Sequence, residues 1–318
     1  MQPLKQLVPI DIAGWQVDEE FAVFPQGARA KEAVFCPVNQ SEAYLVPSRR
    51  YLFKRSKACY PDQFWGEVVA YRVGCVLGFD VPPAFAAWNS TTNISGALIE
   101  WFYDDGCEVS VHAGDFLTRV QPDFDRDRGT THNMRDNIQL LRALSMGGAI
   151  QENSWRQWWV NALAFDALIG NTDRHQDNWT ILFSTSTKGA VNFGRARLSP
   201  LFDNGTSLGH ERFTDRIRDW SQSQFENYVN KGTHQVKWSL DEPNLKGHFD
   251  LLERALQEWP DTKQHLSTRI SETTVQDFEN TIDDLLRLDL PVRYCEDRHQ
   301  FICKLLQIRL LKLKDLLR

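Results

Sequence analysis

The sequence predicts an α+β fold of two lobes, with a β-rich first lobe over residues 1–104 and a mostly helical second lobe over residues 105–318. Short runs of aromatic and apolar residues, separated by turn residues, fill the first hundred positions. Longer segments with helical spacing of apolar residues follow them. The chain has 318 residues, 42% hydrophobic and 25% charged, which is typical of a globular protein large enough for two lobes.

The first lobe is predicted to be a sheet with one helix. Gln16–Phe24 and Ala33–Pro37 are extended segments on either side of a short loop, and Tyr51–Lys54 is a short strand. Asp62–Gly78 carries a wide apolar face at helical spacing and ends at a glycine, which predicts a helix that stops there. Ala97–Phe102 resumes a strand. These elements together predict one sheet that carries one helix.

The second lobe begins after a turn, Asp104-Asp105-Gly106, and is predicted to be mostly helical. Asp123–Asn133 is polar and is predicted to be a loop. Five later segments have apolar residues at helical spacing, and we predict helices at Arg135–Met146, Trp155–Ile169, His248–Glu258, Thr274–Leu288 and Glu296–Leu317.

The most informative segment follows the second of these helices. Gly170-Asn171 breaks the helix, and Thr172–Asn178 is too polar to belong to a core. Trp179–Phe183 and Val191–Leu201 then read as two strands joined by a turn. If these strands pair as a hairpin, Asn178 and Asp203 lie side by side at its open end.

Three polar side chains in this segment suit phosphoryl transfer. An Asp203 carboxylate and an Asn178 carbonyl are the hard oxygen ligands that Mg²⁺ prefers, and Asp173 could accept the proton of an acceptor hydroxyl. Two alternatives stay open from the residues alone. The segment could be a solvated loop followed by an ordinary turn, or Asp173, His175 and Asp177 could form a metallohydrolase site.

Two longer motifs carry a resemblance to a known family. G-N-T-D-R-H-Q-D-N-W and the later L-S-P-L-F-D-N-G-T-S-L-G closely resemble the HipA-like serine/threonine kinases of bacterial toxin–antitoxin systems. The D-R-H-x-x-N core is also shared with phosphatidylinositol kinases. The resembling motifs run from about residue 24 to 210. The resemblance implies a two-lobed protein-kinase-like fold that uses ATP and Mg²⁺.

The first lobe contains three segments that resemble nucleotide-binding parts of this family. Gly27–Val34 is similar to its phosphate loop, Tyr51–Lys54 to its lysine-bearing strand, and Ile99–Phe102 to its hinge. The resemblance makes Asp173 the catalytic base and assigns the metal to Asn178 and Asp203. It assigns nucleotide contacts to Gly27, Ala28, Lys31, Lys54, Glu100, Phe102 and His175.

A partner for Lys54 is also expected on the predicted helix. Glu67 stands where the family's lysine-pairing glutamate would be, although an exposed helical glutamate is the alternative. Longer family members carry an inhibitory serine where this chain has Phe24, so no self-inactivation through the phosphate loop is expected. The chain resembles the shorter members, which lack an extra N-terminal subdomain.

The favoured function is transfer of the γ-phosphoryl group of ATP to a serine or threonine of a protein, with an antitoxin-type protein as a further expected partner. A small-molecule or lipid kinase and a nucleotide-binding scaffold are the alternatives. The net charge of −6 gives no case for direct nucleic-acid binding. No run reaches the roughly 18–20 apolar residues of a membrane span, and no signal peptide is recognisable, so we expect a cytoplasmic protein without a membrane partner.

Overall fold

The computed structural model describes residues 5–21, 30–185 and 191–318. The chain divides into two compact units that are discontinuous in sequence. The first unit comprises Met1–Trp101, Asn204–Ser221 and Thr273–Leu306, and the second comprises Phe102–Asp203, Gln222–Glu272 and Gln307–Arg318. The first unit therefore includes two later segments of the chain, Asn204–Ser221 and Thr273–Leu306, whereas a division at residue 104 assigns them to the second lobe.

The first unit contains a six-stranded sheet in the order β1-β5-β6-β4-β3-β2. The β1–β5 pair is parallel, and the other neighbouring strands are antiparallel. A cluster of buried aromatic and aliphatic side chains, including Trp15, Tyr51, Phe53 and Phe85, covers part of the sheet. The strands are β1 (Ile10–Asp11), β2 (Gln16–Val17), β3 (Lys31–Phe35), β4 (Arg50–Arg55), β5 (Ala84–Asn89) and β6 (Ile94–Glu100).

The helix predicted in the first lobe is confirmed as α1 (Gln63–Leu77), which packs on the central strands of this sheet. It ends at Gly78, whose φ of 65° is the left-handed conformation that glycine adopts without a Cβ clash. The expected extended segment Gln16–Phe24 is wrong in its bounds, because β2 stops at Val17 and a 3₁₀ helix covers Glu19–Phe21.

The C-terminal part of the chain adds helices to both units. In the first unit these are α5 (Thr214–Ile217), α9 (Val275–Ile282) and a 3₁₀ helix at Asp283–Arg287. The predicted single helix over Thr274–Leu288 is therefore two helices of different type. The last helix, α10 (Glu296–Leu317), has the predicted bounds and contributes residues to both units.

The second unit combines a three-stranded antiparallel sheet with helices. The sheet has the order β7-β8-β9, with β7 (Glu108–His112), β8 (Thr180–Thr185) and β9 (Val191–Leu198). The hairpin predicted from the sequence is the antiparallel pair of β8 and β9. The helices are α2 (Ala113–Val120), α3 (Met134–Met146), α4 (Glu152–Ile169), α6 (Gln222–Lys231), α7 (His248–Glu258) and α8 (Lys263–Ser271).

Tryptophans build much of the core of the second unit. Trp155 and Trp159 on α4 are fully buried. Trp155 meets Trp259 edge to face at 5.4 Å between ring centroids, and Trp159 meets Trp179 in the same way at 5.2 Å. Edge-to-face contacts of this kind stabilise the folded protein by more than the burial of the apolar ring surface alone. None of the helices in the described residues combines the length and the apolarity that crossing a bilayer requires.

Candidate active site

The candidate catalytic loop, residues 171–178, begins where α4 ends. Gly170 has a φ of 67°, and its amide donates to Asp166 O, which closes the last turn of α4. A Cβ at this position would lie 2.6 Å from a terminal guanidinium nitrogen of Arg309. The same guanidinium donates to Ala167 O at 2.8 Å. Glycine is therefore required here both by the backbone conformation and by the approach of Arg309.

A buried ion pair joins the helix to the loop. Asp166 and Arg174 are fully buried, and the guanidinium binds the carboxylate through two nitrogens at 2.8 and 3.0 Å. Burial opposes ionisation of Asp166, but the Arg174 charge and hydrogen bonds from Arg174 and His234 outweigh it. They hold the pKa of this carboxyl well below its usual range, so Asp166 is an anion at neutral pH.

The third nitrogen of Arg174 brings the two ends of the hairpin together. It donates to Asn178 O at 3.1 Å, just before β8, and to Phe202 O at 2.5 Å, just before Asp203. The predicted proximity of Asn178 and Asp203 at the open end of the hairpin therefore has a structural cause. One guanidinium binds the backbone next to both residues. Both positions lie beyond the ends of the paired strands, so the hydrogen bonds between β8 and β9 do not hold them.

The loop itself is closed by short-range hydrogen bonds. The Asp173 amide donates to the side-chain oxygen of Asn171 at 3.0 Å. The side-chain nitrogen of Asn178 donates to Asp173 O at 2.5 Å, so its oxygen Oδ1 is directed away from that carbonyl. A carbonyl oxygen in this orientation fits a hard cation. Asp203 is the second candidate oxygen donor, and the carbonyl that precedes it is bound by the same nitrogen of Arg174 as the carbonyl of Asn178.

These donors fit Mg²⁺ that is held jointly with nucleotide phosphates. Within residues 5–21, 30–185 and 191–318, no group of three or more His, Cys, Asp or Glu side chains is arranged to hold a metal by itself. Mg²⁺ is commonly bound through one or two protein oxygens and completes its coordination with phosphates and water. The donor set of Asn178 and Asp203 is of that kind.

The metallohydrolase alternative finds no support in the loop. His175 Nδ1 accepts the Asp177 amide at 3.1 Å, which uses one ring nitrogen inside the loop. The Asp177 carboxylate binds Arg126 at 3.0 Å, and Arg126 also binds Asp115 at 2.5 Å. These contacts give His175 and Asp177 roles in holding the loop. The nucleotide contact assigned to His175 stays a prediction.

Asp203 has a backbone conformation that few residues adopt. Its φ is 57°, in the left-handed region where Asp and Asn are several-fold enriched over other non-glycine residues. Sparsely populated conformations are common at active sites, and they persist only where the surrounding structure holds them. Here the hydrogen bond from Arg174 to the preceding carbonyl is part of that support.

Within the first unit, Lys54 and Glu67 form a buried ion pair at 2.9 Å. The expected pairing of Glu67 is confirmed, and the exposed alternative is wrong, because both side chains are almost fully buried. The second oxygen of Glu67 accepts the amide of Asn204 at 2.8 Å. A Cβ at Gly66, the neighbouring residue on α1, would lie 3.3 Å from the Gly205 backbone, so α1 packs closely against this segment.

Lys31 lies directly opposite Lys54 in the antiparallel β3–β4 pair. Residues in such register share one face of the sheet, and like charges there repel each other unless an anion offsets them. Glu67 offsets the charge of Lys54, and the nucleotide contacts assigned to both lysines stay predictions. The other residues assigned to the phosphate loop, Gly27 and Ala28, lie outside the described residues, as does Phe24.

The predicted hinge begins at Glu100, the last residue of β6. Arg49 binds the Glu100 carboxylate at 3.4 Å and donates to Trp101 O at 2.9 Å. Burial raises the pKa of Glu100, and Arg49 partly offsets that rise. The amide of Trp101 donates to Arg50 O at 3.0 Å, which extends the β4–β6 pairing. An adenine held here would have to use groups other than these.

Phe102 is the other hinge residue assigned to the nucleotide, and it belongs to the second unit. Its ring stacks on Phe202 with centroids 4.9 Å apart and an angle of 25°. Its carbonyl accepts a hydrogen bond from Arg197 at 3.3 Å. Phe202 immediately precedes Asp203, so this stack joins the hinge residue to the segment that carries the candidate metal ligand.

Sequence reasoning missed the residues that hold the loop from behind. Asp166 has a recognisable signal, because a carboxylate inside the apolar helix Trp155–Ile169 must be paired if it is buried. His234 and His248 have no such signal. They lie far along the chain, and only the tertiary structure brings His234 to Asp166 at 2.9 Å and His248 to Asn171 O at 2.7 Å.

Comparison with solved structures finds a kinase with a similar fold. The Helicobacter pylori proinflammatory kinase CtkA matches 97% of this chain and 96% of its own at 17% identity, with a TM-score of 0.75. HipA of Shewanella oneidensis MR-1, solved with HipB and operator DNA, matches 94% of this chain and 65% of its own at 13% identity, with a TM-score of 0.48. Comparison with curated proteins finds no significant match.

The likeness to CtkA confirms the predicted two-lobed, kinase-like fold. The family comparison concerns the sequence itself. The model of the HipA-like C-terminal domain matches residues 24–282, which is most of the chain and includes the candidate catalytic loop and the residues that follow β9. The chain therefore belongs to the HipA-like C-terminal domain family.

Proposed function

We propose that this protein is a kinase that transfers the γ-phosphoryl group of ATP to a serine or threonine hydroxyl of a protein. The observation that carries the proposal is the arrangement around Arg174. One buried guanidinium binds Asp166, the loop carbonyl of Asn178 and the carbonyl before Asp203. Membership of the HipA-like family and the kinase fold support the same reaction.

In the proposed reaction Asp173 accepts the proton of the acceptor hydroxyl. The hydroxyl oxygen forms a bond to the γ-phosphorus, and the bond from that phosphorus to the β–γ bridging oxygen breaks, so ADP leaves with the electron pair. Asn178 and Asp203 would hold Mg²⁺, which when bound offsets the charge of the phosphate oxygens. Lys54, oriented by Glu67, would bind the α- and β-phosphates.

The nature of the acceptor is the finer part of the proposal. A protein serine or threonine is favoured by the motifs that this chain shares with HipA-like kinases. The same resemblance supports an antitoxin-type protein partner and a toxin role. To test for a partner, proteins from a lysate are captured on the immobilised chain, and each captured protein is then mixed with the free chain and analysed by size-exclusion chromatography. Only a stoichiometric complex with one protein would support the partner.

Asp173→Ala tests the reaction. The expected loss of phosphotransfer is about 10²–10⁴-fold, because a positioned base is removed, while Mg·ATP binding is largely retained. Labelled ATP is incubated with a cell lysate, and the labelled species are separated and identified. Asp261→Ala, at an exposed carboxylate in the same unit, is the matched control and should transfer phosphate like the parent protein.

Each outcome of this experiment decides between acceptors. Label on protein that disappears in Asp173→Ala supports the proposal. Label on a lipid or a small metabolite replaces the protein acceptor with that class. If the parent protein binds Mg·ATP but labels nothing, the chain is a nucleotide-binding scaffold and the kinase proposal fails.

A further inference from the structure

A cluster of buried polar side chains lies behind the candidate catalytic loop in the second unit. Its members are Asp166 on α4, Arg174 in the loop, His234 after α6 and His248 at the start of α7, and each is at least nine-tenths buried. The two histidines lie outside the two long motifs at residues 170–179 and 198–209. Burying a polar group lowers the stability of the fold unless the group is hydrogen-bonded. The hydrogen bonds of these side chains therefore indicate their roles.

His234 holds the Asp166 carboxylate. The amide of Val236 donates to His234 Nδ1 at 3.2 Å, so this nitrogen is an acceptor and the proton is on Nε2. Nε2 lies 2.9 Å from Asp166 Oδ2 and donates to it. Asp166 therefore accepts hydrogen bonds from His234, Arg174 and Asn171, and its position is determined from three directions.

His248 contacts the loop directly. Its Nε2 lies 2.7 Å from Asn171 O, and because a carbonyl can only accept, this nitrogen carries the proton. Burial, together with the nearby charge of Arg309, lowers the pKa of His248 to about 3, so the ring is neutral at pH 7. Its Nδ1 makes no hydrogen bond to any described residue and faces Gly232, where a Cβ would approach it to 2.9 Å.

Asn171 connects His248 to the candidate base Asp173 through hydrogen bonds. Its side-chain nitrogen donates to Asp166 at 3.1 Å, and its side-chain oxygen accepts the Asp173 amide at 3.0 Å. With its own carbonyl held by His248, Asn171 is bound at both ends. The backbone of Asp173 is thereby connected through one residue to the helix α4 on one side and to α7 on the other.

We propose that His248 is a positioning residue for Asp173, acting through Asn171. The inference rests on the proposed function, because it concerns the geometry of the base in that reaction. Misplacement of a reacting group by about 1 Å can cost about 10²-fold in rate. Loss of the His248 donor leaves a buried carbonyl without its partner, and the loop can recover that hydrogen bond only by moving.

His248→Met tests the proposal, since it keeps the size of the side chain and removes the donor. We expect kcat to fall by about 10²-fold, while the KM for ATP stays within about threefold of the parent value, since the lost interaction serves the acceptor side. His248→Gln places a side-chain N–H near the position of Nε2 and should recover most of the loss.

His132→Met is the matched control. His132 is also fully buried, its pKa is also lowered to about 3 by burial, and it hydrogen-bonds Asn137 on α3, not the loop. Both substitutions should lower the melting temperature, but only His248→Met should lower kcat. Equal values of kcat in the two variants would overturn the proposal.

Two further measurements keep the test decisive. If His248→Met does not fold, Gly232→Ala is used, because its methyl group would lie 2.9 Å from Nδ1 of His248 and displace the intact ring from its present position, which should lower kcat in the same sense. Hydrogen–deuterium exchange of the peptide covering residues 171–178 needs no turnover. Faster exchange in His248→Met than in His132→Met supports positioning even if the parent protein transfers no phosphate, and equal exchange contradicts it.

Discussion

At the scale of single residues, the candidate catalytic loop is held by buried side chains that are paired with groups of opposite charge or with hydrogen-bond partners. Arg174 is the clearest case, because all three of its nitrogens are engaged and none of it is exposed. Removing one member of a buried ion pair typically costs about 3–5 kcal/mol, since the other charge is left without a partner. The residues that perform the proposed chemistry thus depend on residues that touch no substrate.

Asp203→Ala should weaken the binding of Mg·ATP, because it removes the charged oxygen ligand that is proposed for the metal. The protein should stay folded, since alanine can adopt the left-handed conformation at a cost of about 1–2 kcal/mol. Thermal-shift titration with Mg·ATP measures the effect, with ATP and EDTA as the metal-free control. A variant that is stabilised as much as the parent protein would show that Asp203 is not a metal ligand.

Lys54→Met should raise the KM for ATP or abolish turnover. It should also destabilise the first unit by about 3–5 kcal/mol, because Glu67 becomes a buried carboxylate without its cation. Lys54→Arg keeps the charge and is the matched variant, with a smaller loss of stability. Urea denaturation measures stability and initial rates measure KM. Unchanged kinetics in a folded Lys54→Met protein would remove Lys54 from the nucleotide site.

At the scale of elements, the site depends on where α4 ends and how β8 and β9 pair. The amide of Ser199 donates to Thr180 O at 3.0 Å, and the Thr180 amide donates to the Ser199 hydroxyl at 3.2 Å. These two bonds close the hairpin on the side of Asn178 and Asp203. The loop between α4 and β8 is consequently anchored at both ends, and its polar residues are presented from rigid elements.

Gly170→Ala should destabilise the protein by more than its backbone conformation alone explains. A left-handed φ costs alanine about 1–2 kcal/mol, and here the new methyl group also meets Arg309 at 2.6 Å. Gly148→Ala is the control, because Gly148 has a similar φ of 75° and nothing lies within 4 Å of its Cβ position. Urea denaturation of both variants isolates the contribution of Arg309. Equal losses would mean that Arg309 moves aside freely.

At the scale of the whole molecule, the proposed functions are divided between the two compact units. The first contains Lys31 and Lys54, which are assigned to the nucleotide, with Glu67 as the partner of Lys54, and the second contains Asp173 and the candidate metal ligands. The second unit also contains the buried histidines His132, His234 and His248. This distribution gives the molecule a characteristic response to acid.

Stability should fall as the pH falls from about 6.5 towards 3. Burial lowers the pKa of His132 and of His248 to about 3, while an unfolded histidine titrates near 6.5, so only the unfolded chain takes up these protons in that range. Each histidine then costs about 1.4 kcal/mol per pH unit. The lowered pKa of Asp166 acts in the same sense below about pH 4, where the unfolded carboxyl is protonated first.

Melting temperatures at pH 7.5, 6 and 5 measure this effect. The double variant His132→Gln, His248→Gln removes both titrating groups, and its melting temperature should depend less on pH than that of the parent protein. A parent protein equally stable at pH 7.5 and pH 5 would show that the two rings are protonated in the folded state.

Local sequence information determined the catalytic segment. Neighbouring residues predict each of its parts: a helix with periodic apolar residues, the glycine that ends it, a polar run and two strands. This is possible because hydrogen bonds in helices and hairpins join positions that are close in sequence. The order of Asp173, Asn178 and Asp203 therefore indicates phosphoryl transfer, and the two longer motifs that contain them indicate the HipA-like family. The roles assigned to these three residues stay predictions that the experiments above test.

Only the tertiary structure decided which residues support that segment. Glu67 meets Lys54 and the amide of Asn204, and the two histidines reach Asp166 and Asn171, across 13 to 137 positions of the chain. No periodicity marks such pairs, because each residue alone is compatible with an exposed surface. Burial selects them: a charge or a polar group that loses water must find a partner, and the folded chain determines which partner is near.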